Sequence, residues 1–281
     1  MRIAIIGLGL IGGSLGLALK KSGGHKVIGV PRDEKTIEKA LALGAIDEGT
    51  TDHLQGVNDA DLVFICTPIN LIVPVVSEVA PQLKKGAIVS DVGSSKYEIV
   101  SQLEKLMPKG VYYVGGHPLA GKERFKIDAA EAGLFYGRTW ALTRTSRTSQ
   151  RALDKVAEVV RSMGAKPLEM EPKAHDLVVA AISHAPLAVA AALVNAVAGE
   201  AERATMAQCA ASGFRDATRI VSGDPILGVD MFTTNKKAVL KMIGAFKRSL
   251  SSLEGLIKEG NGEKIREELA KAKQFRDSIY G

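Results

Sequence analysis

The hydrophobic pattern changes character once along the chain. Up to about residue 170, short apolar runs alternate with stretches in which apolar residues recur every three or four positions. The runs Arg2–Ile6, Lys26–Val30, Leu62–Cys66, Ala87–Ser90 and Val111–Val114 predict strands, and Asp33–Leu43 and Leu71–Gln82 predict helices between them. Further strands are expected at Thr139–Thr143 and Lys166–Met170, around a helix from Ser149 to Met163. Alternation at this spacing predicts a parallel sheet with helices on both faces. After Pro172 the pattern is helical: Ala174–Gly199, Glu200–Ala210, one or two helices over Pro225–Glu259, and a charged helix Glu263–Ser278. The expected organisation is therefore an α/β domain over 1–170 followed by an all-α domain over 171–281. Within the second domain, Leu177–Ala198 is apolar on all sides and long enough to span a bilayer. His184, Pro186 and Asn195 interrupt it, so it reads as the buried core of a helical domain or dimer, not a membrane span.

The turn after the first strand carries the first chemistry. Gly7, Leu8, Gly9, Leu10, Ile11 and Gly12 make a GxGxxG element between a strand and an apolar helix, the context that a dinucleotide-binding Rossmann-type domain requires. Gly7 permits the tight turn, Gly9 lets a pyrophosphate approach the backbone, and Gly12 lets helix and strand pack closely. At the end of the second strand an acid would hydrogen-bond the ribose of NAD. Here Pro31 and Arg32 stand in that place, and no acid occurs before Asp33. Arg32 suits a 2′-phosphate, so NADP is the expected cofactor and NAD the less favoured one. Cys66, Thr67 and Pro68 follow the third major strand, at the sheet edge where ligands of such folds bind, and the DVGSSK loop follows the next one. Ser94 or Ser95 is expected either near the nicotinamide or capping a helix that starts at Lys96.

Composition narrows the rest. With 281 residues, 46% of them hydrophobic, the chain is long enough for two cores. Its net charge of +6 is scattered, without a basic block, which fits an anionic small molecule better than nucleic acid. Two cysteines form neither a disulfide framework nor a metal cluster, as in a reducing cytoplasm, and no metal is implied. Of the five histidines, His117 follows a strand at the cofactor edge, inside the glycine-rich GGHPLAG. An imidazole there is a candidate base for a carbinol hydroxyl losing its hydride. The adjoining glycines are expected to let substrate and nicotinamide come close. His175 and His184 are as readily structural as catalytic.

Together GLGLIGGSLGLAL, FICTPI, DVGSSK, GGHPLAG, HDLVVAAISHAP and SGFRDATRI–GDP resemble the prephenate/arogenate dehydrogenase family over nearly the whole chain. The likeness is to the short, single-function, NADP-dependent arogenate type. The resemblance implies oxidative decarboxylation of arogenate to tyrosine, or of prephenate to 4-hydroxyphenylpyruvate, by a cytoplasmic homodimer paired through its helical domain. It implies that His117 accepts the ring hydroxyl's proton, that Ser94 assists there and near the nicotinamide, and that Arg219 binds a substrate carboxylate. Arg215, His184, Glu123 and Gly121 match less specific substrate-side positions, and Gly228 stands where some prephenate-specific members carry tryptophan. Another oxidoreductase with a helical second domain, such as a 3-hydroxyacid dehydrogenase, and a non-catalytic cofactor sensor are the competing classes; neither requires the histidine of GGHP.

Overall fold

A computed structural model describes residues 1–122 and 126–281. Its first half alternates β1 (Arg2–Ile6), α1 (Leu10–Ser22), β2 (Lys26–Val30), α2 (Glu34–Ala42), β3 (Glu48–Gly49), α3 (His53–Val57), β4 (Leu62–Ile65), α4 (Ile69–Val79), β5 (Ile88–Asp91), α5 (Tyr97–Leu106) and β6 (Tyr112–Val114). The six strands are parallel in the order β3-β2-β1-β4-β5-β6. The order reverses beside β1, which creates a crevice at the carboxyl ends of β1 and β4. Successive residues serve opposite faces: Ile3, Ile5, Leu62 and Phe64 enter one apolar cluster, while Ala4, Ile6, Val63 and Ile65 enter the other. Both faces are covered, which is why these strands read as unbroken apolar runs.

The strands Thr139–Thr143 and Lys166–Met170 exist, but they do not extend this sheet. Together with an unforeseen strand they form a second one: β7 (Gly116–Pro118), β8 (Thr139–Thr143) and β9 (Lys166–Met170), with β7 antiparallel to β8 and β8 parallel to β9 across α6 (Gln150–Ser162). The buried indole of Trp140 on β8 meets Phe64 and Phe135, joining the two sheets in one core. His117 therefore sits on a strand and not in a loop.

The second half is helical: α7 (Pro172–Val179), a π turn Ala180–His184, α8 (Ala185–Ala198), α9 (Arg203–Cys209), α10 (Ser212–Thr218), a 3-10 turn Arg219–Ser222, α11 (Pro225–Thr234), α12 (Lys236–Glu259) and α13 (Gly262–Tyr280). The expected helix over Pro225–Glu259 breaks at Asn235. The π turn has a local cause. Pro186 has no N–H for the carbonyl four residues back, and Ala185 N–H bonds instead to Ala180 O, five residues back.

The apolar stretch Pro172–Ala198 passes the length and composition test for a membrane span, with mean hydropathy 2.2, yet its His184 is fully buried. Of the two expected settings for this stretch, a helical-domain core or a dimer, the first does not hold for α8. In α8 only Ala185 and Ala190 are buried within one chain, and in α9 and α10 nothing is.

Candidate active site

The glycine turn is sterically obligatory at two points. Gly7 has φ +94°, and a Cβ on it would lie 2.6 Å from Cys66 O. A Cβ on Gly12 would lie 1.9 Å from Gly7 O, so the start of α1 and the end of β1 touch backbone to backbone. Gly9 differs, because a Cβ there would meet nothing within 4 Å. That open side lies at the N-terminus of α1, whose Gly9 cap offers no side-chain acceptor, leaving the first N–H groups directed outward. Leu8 and Leu10 anchor the turn in the core, Ile11 packs half-buried against it, and the buried Thr67 hydroxyl beside Gly7 has no hydrogen-bond partner among the described residues. An open anion cradle and an orphaned hydroxyl fit a dinucleotide pyrophosphate. Cys66 packs here, its thiol pushed up by burial and by Asp91; Pro68 is exposed at the start of α4. Asp33 is occupied as the cap of α2, accepting Thr36 N–H at 3.0 Å and the Thr36 hydroxyl, while Pro31 is buried and Arg32 is exposed.

Beside this cradle, β7 carries His117 into a polar cluster that crosses both halves of the chain. His117 Nδ1 lies 2.9 Å from His175 Nε2, and His175 Nδ1 lies 2.9 Å from Asp176 Oδ1. Asp176 also accepts the backbone N–H of Lys96 (Oδ1, 2.7 Å) and of Tyr97 (Oδ2, 2.9 Å). The helix after DVGSSK thus starts at Tyr97 and is capped by a carboxylate from α7, not by Ser94 or Ser95; Ser95 Oγ bonds instead to Thr234 Oγ1 of α11. Asn235 Nδ2 donates to Asp176 O at 2.7 Å, which identifies it as the amide NH2, and the same group faces His184 Nδ1 at 3.3 Å. His184 Nδ1 is then the acceptor, and its Nε2 is a buried N–H with no partner among the described residues.

The floor of the cluster is a fully buried ion pair, Lys96 with Asp91. Asp91 also accepts Gly93 N–H (2.9 Å), the Tyr113 hydroxyl (2.7 Å) and Gly116 N–H (3.2 Å). This accounts for the glycines of GGHP differently from the sequence reading. A Cβ on Gly116 would lie 2.6 Å from Asp91 O and one on Gly115 2.4 Å from Thr143 Oγ1, so both serve close packing inside the protein. They do not make room for substrate.

Burial, followed by His175, Lys96 and His184, holds His117 well below the usual imidazole range. Burial pulls His184 down to about 4, against the opposing pull of Asp176. Both rings are neutral at pH 7, as a proton acceptor must be. A depressed folded-state value means that the unfolded chain binds protons first as pH falls, so stability is whole above about pH 6.5 and is lost on the way down to about 4. At about 1.4 kcal/mol per unit, His184 alone contributes on the order of 3 kcal/mol to that loss. Urea midpoints at pH 7.5, 5.5 and 4.5 are expected to fall in that order, and an unchanged midpoint at 4.5 would contradict it.

The remaining expected residues are dispersed. Ser94 is half-buried in the loop after β5, and Gly121 is exposed beyond β7. Arg215 is exposed on α10, bonded to Asp216 at 3.3 Å, and Arg219 opens the exposed 3-10 turn packed against α8. Glu123 lies outside the described residues. Sequence reasoning missed the roles of His175, Asp176, Lys96, Asp91 and Asn235. The only signal was the adjacent His-Asp pair nine residues before His184. Among the described residues no group of three or more His, Cys, Asp or Glu could hold a metal ion.

Comparison with known proteins agrees with this architecture. Residues 15–169 match the family model described as prephenate dehydrogenase, nucleotide-binding domain, and residues 171–271 match prephenate dehydrogenase, dimerization domain. A prephenate dehydrogenase of Bacillus subtilis is 32% identical over 99% of this chain and 76% of its own length. The crystal structure of Synechocystis arogenate dehydrogenase is 37% identical, with a TM-score of 0.89, over 99% of this chain and all of that one. Prephenate dehydrogenase from Aquifex aeolicus, solved with hydroxyphenyl propionate and NAD+, is 34% identical, with a TM-score of 0.92, over 99% of this chain and 98% of that one. The chain is an oxidoreductase belonging to the prephenate/arogenate dehydrogenase family.

Proposed function

We propose that the enzyme oxidatively decarboxylates arogenate to tyrosine with NADP, as a cytoplasmic homodimer in aromatic amino acid biosynthesis. The observation that carries this reading is His117, a half-buried neutral imidazole on β7, whose neighbour Gly116 packs on the same Asp91 that acts on Cys66 at the cradle. A bound nicotinamide supplies a hydride acceptor for the ring carbinol carbon. His117 takes the proton of the carbinol hydroxyl as that carbon becomes a ketone. The carbon–carbon bond to the ring carboxylate then breaks, carbon dioxide leaves, and its electron pair aromatises the ring, whose oxygen recovers a proton. Ser94 assists at the hydroxyl, and Arg219, with Arg215, receives a substrate carboxylate. The buried N–H of His184 is a further donor for a substrate oxygen. Glu123 and Gly121 belong to the substrate side.

Three observations support the finer assignments. Asp33 is committed to capping α2 while Arg32 is exposed, which suits a 2′-phosphate; against it stands the Aquifex relative solved with NAD+. Similarity to Synechocystis arogenate dehydrogenase spans both chains end to end, and Gly228 stands where some prephenate-specific members carry tryptophan. For the dimer, Ile182, Val229 and Ile226 expose 62%, 58% and 66% of their surface in one chain, within the segment that matches a dimerization domain.

Crossing arogenate and prephenate with NADP and NAD tests the reading directly. Highest kcat/KM is expected for arogenate with NADP. Arg32→Ala is expected to lower kcat/KM for NADP by about tenfold or more while leaving NAD within about twofold. A higher efficiency with NAD in the unaltered enzyme overturns the NADP assignment, and a higher efficiency with prephenate overturns the substrate.

A further inference from the structure

The hydrogen bonds behind His117 have a direction. Asp176 already accepts two main-chain N–H groups, from Lys96 and Tyr97, so its Oδ1 presents an acceptor to His175 Nδ1 at 2.9 Å. That nitrogen must carry the hydrogen. A neutral imidazole has one donor and one acceptor nitrogen, which leaves His175 Nε2 as an acceptor. It faces His117 Nδ1 at 2.9 Å, so Nδ1 is the donor and the lone pair of His117 lies on Nε2. The rings cross edge to face with centroids 5.1 Å apart, and His175 is 1% exposed, so water does not compete for this contact.

We propose that His175 and Asp176 form a positioning pair that holds His117 in the Nδ1-protonated tautomer, with Nε2 presented to the substrate hydroxyl. This rests on the reading of His117 as the proton acceptor. The pair does not touch the reacting atoms. It acts through His117, as a carboxylate does when it sets the tautomer of a catalytic histidine from behind. When His117 gains its proton, the Nδ1–H stays directed at His175 Nε2, so the imidazolium needs no reorientation before it returns the proton. The charged and titratable groups around the ring are His175, His184 and Lys96, with Asp91 paired to Lys96 and Asp176 behind His175. Asp176 is also bound through its main-chain carbonyl to Asn235, so the carboxylate is anchored from three elements: α5, α7 and the α11–α12 junction.

The pair is separable from simple structural support because His175 offers two nitrogens with different duties. His175→Gln places an amide oxygen where it accepts from His117 Nδ1, without requiring the Asp176 bond. His175→Phe fills the space and offers no acceptor. On full-length protein saturated with NADP, 15N histidine-ring spectra are expected to show His117 protonated at Nδ1. In His175→Phe the proton is expected to move to Nε2 and kcat to fall by about 100-fold, with KM for substrate and cofactor within about threefold. His175→Gln is expected to recover kcat to within about fivefold of the unaltered enzyme. A proton on Nε2 of His117 in the unaltered protein overturns the proposal without recourse to any variant. So does a His175→Phe enzyme that retains both tautomer and kcat, or a His175→Gln enzyme as impaired as the phenylalanine variant. Full turnover by His117→Asn defeats the acceptor role itself and leaves the tautomer measurement standing, so the two failures are distinct.

Discussion

Replacement of His117 by asparagine is expected to lower kcat by about 1,000-fold while cofactor affinity stays within about threefold. General acid–base groups contribute roughly 10²–10⁴ to rate, and this imidazole combines two properties of an effective one. It is neutral at working pH, because burial and three neighbouring cation-forming groups disfavour its charged form. It is also held by a ring nitrogen behind it, so the catalytic nitrogen is not free to rotate away. Asparagine retains a polar group of similar reach but cannot take a proton at neutral pH. The glycine turn is contributed by the β1–α1 junction and Thr67 by the end of β4, not by β7, so cofactor binding is expected to survive. Initial rates of reduced-nicotinamide formation, paired with a cofactor titration by fluorescence, separate the two quantities. Turnover within tenfold of normal with intact binding would remove His117 from the chemistry and favour the competing oxidoreductase classes.

Two substitutions in the same hexapeptide are expected to fail for opposite reasons. In Gly9→Ala the new methyl meets no atom within 4 Å, so the ligand-free protein is expected to melt within about 2 °C of the unaltered one. The methyl nevertheless occupies the side from which a pyrophosphate reaches the free N–H groups of α1, and the cofactor Kd is expected to rise by about 100-fold. In Gly12→Ala the methyl lies 1.9 Å from Gly7 O and 3.2 Å from Cys66 Cβ. One obstacle is main chain and the other a side chain packed against the core, so the helix must move away from the strand, at a cost on the order of 3 kcal/mol. Thermal melts and cofactor titrations of the two variants are expected to give one stable non-binder and one destabilised protein. A destabilised Gly9→Ala, or a Gly12→Ala of normal stability, contradicts the geometry of the turn.

How much was legible follows from the range of each interaction. The extents of β1, β2 and β8 were readable because each run of five residues is mostly apolar or β-branched and is followed by a break in that pattern. The extent of α2 and α6 was readable because Asp33 and Ser149 cap their own helices three residues on. β7 was not, because three residues, one a glycine and one a proline, carry no period. The partition into two sheets was hidden for the same reason, since β7 is what draws β8 away. The cap of α5 comes from Asp176, 80 residues distant, and no local pattern encodes such a partner. In the site, the cradle and His117 were readable as motif and placement. The chain of contacts behind His117 was not, because it is assembled from four separated segments. In the helical half the apolar positions predicted burial in a domain or in a dimer, and much of that surface is exposed in a single chain, which leaves the first alternative unsupported.

Asp176 is encoded with the helical half yet completes a helix of the nucleotide-binding half. The two halves are therefore not interchangeable parts. A gene fusion joining this cradle to the helical region of a distant relative preserves the sheet and the glycine turn. It also leaves the start of α5 uncapped, unless the incoming segment brings a carboxylate at the same turn, immediately after a histidine. The junction near residue 170 joins two pieces whose compatibility is decided a few residues downstream. Shuffled descendants of this architecture are constrained there, and not at the linker.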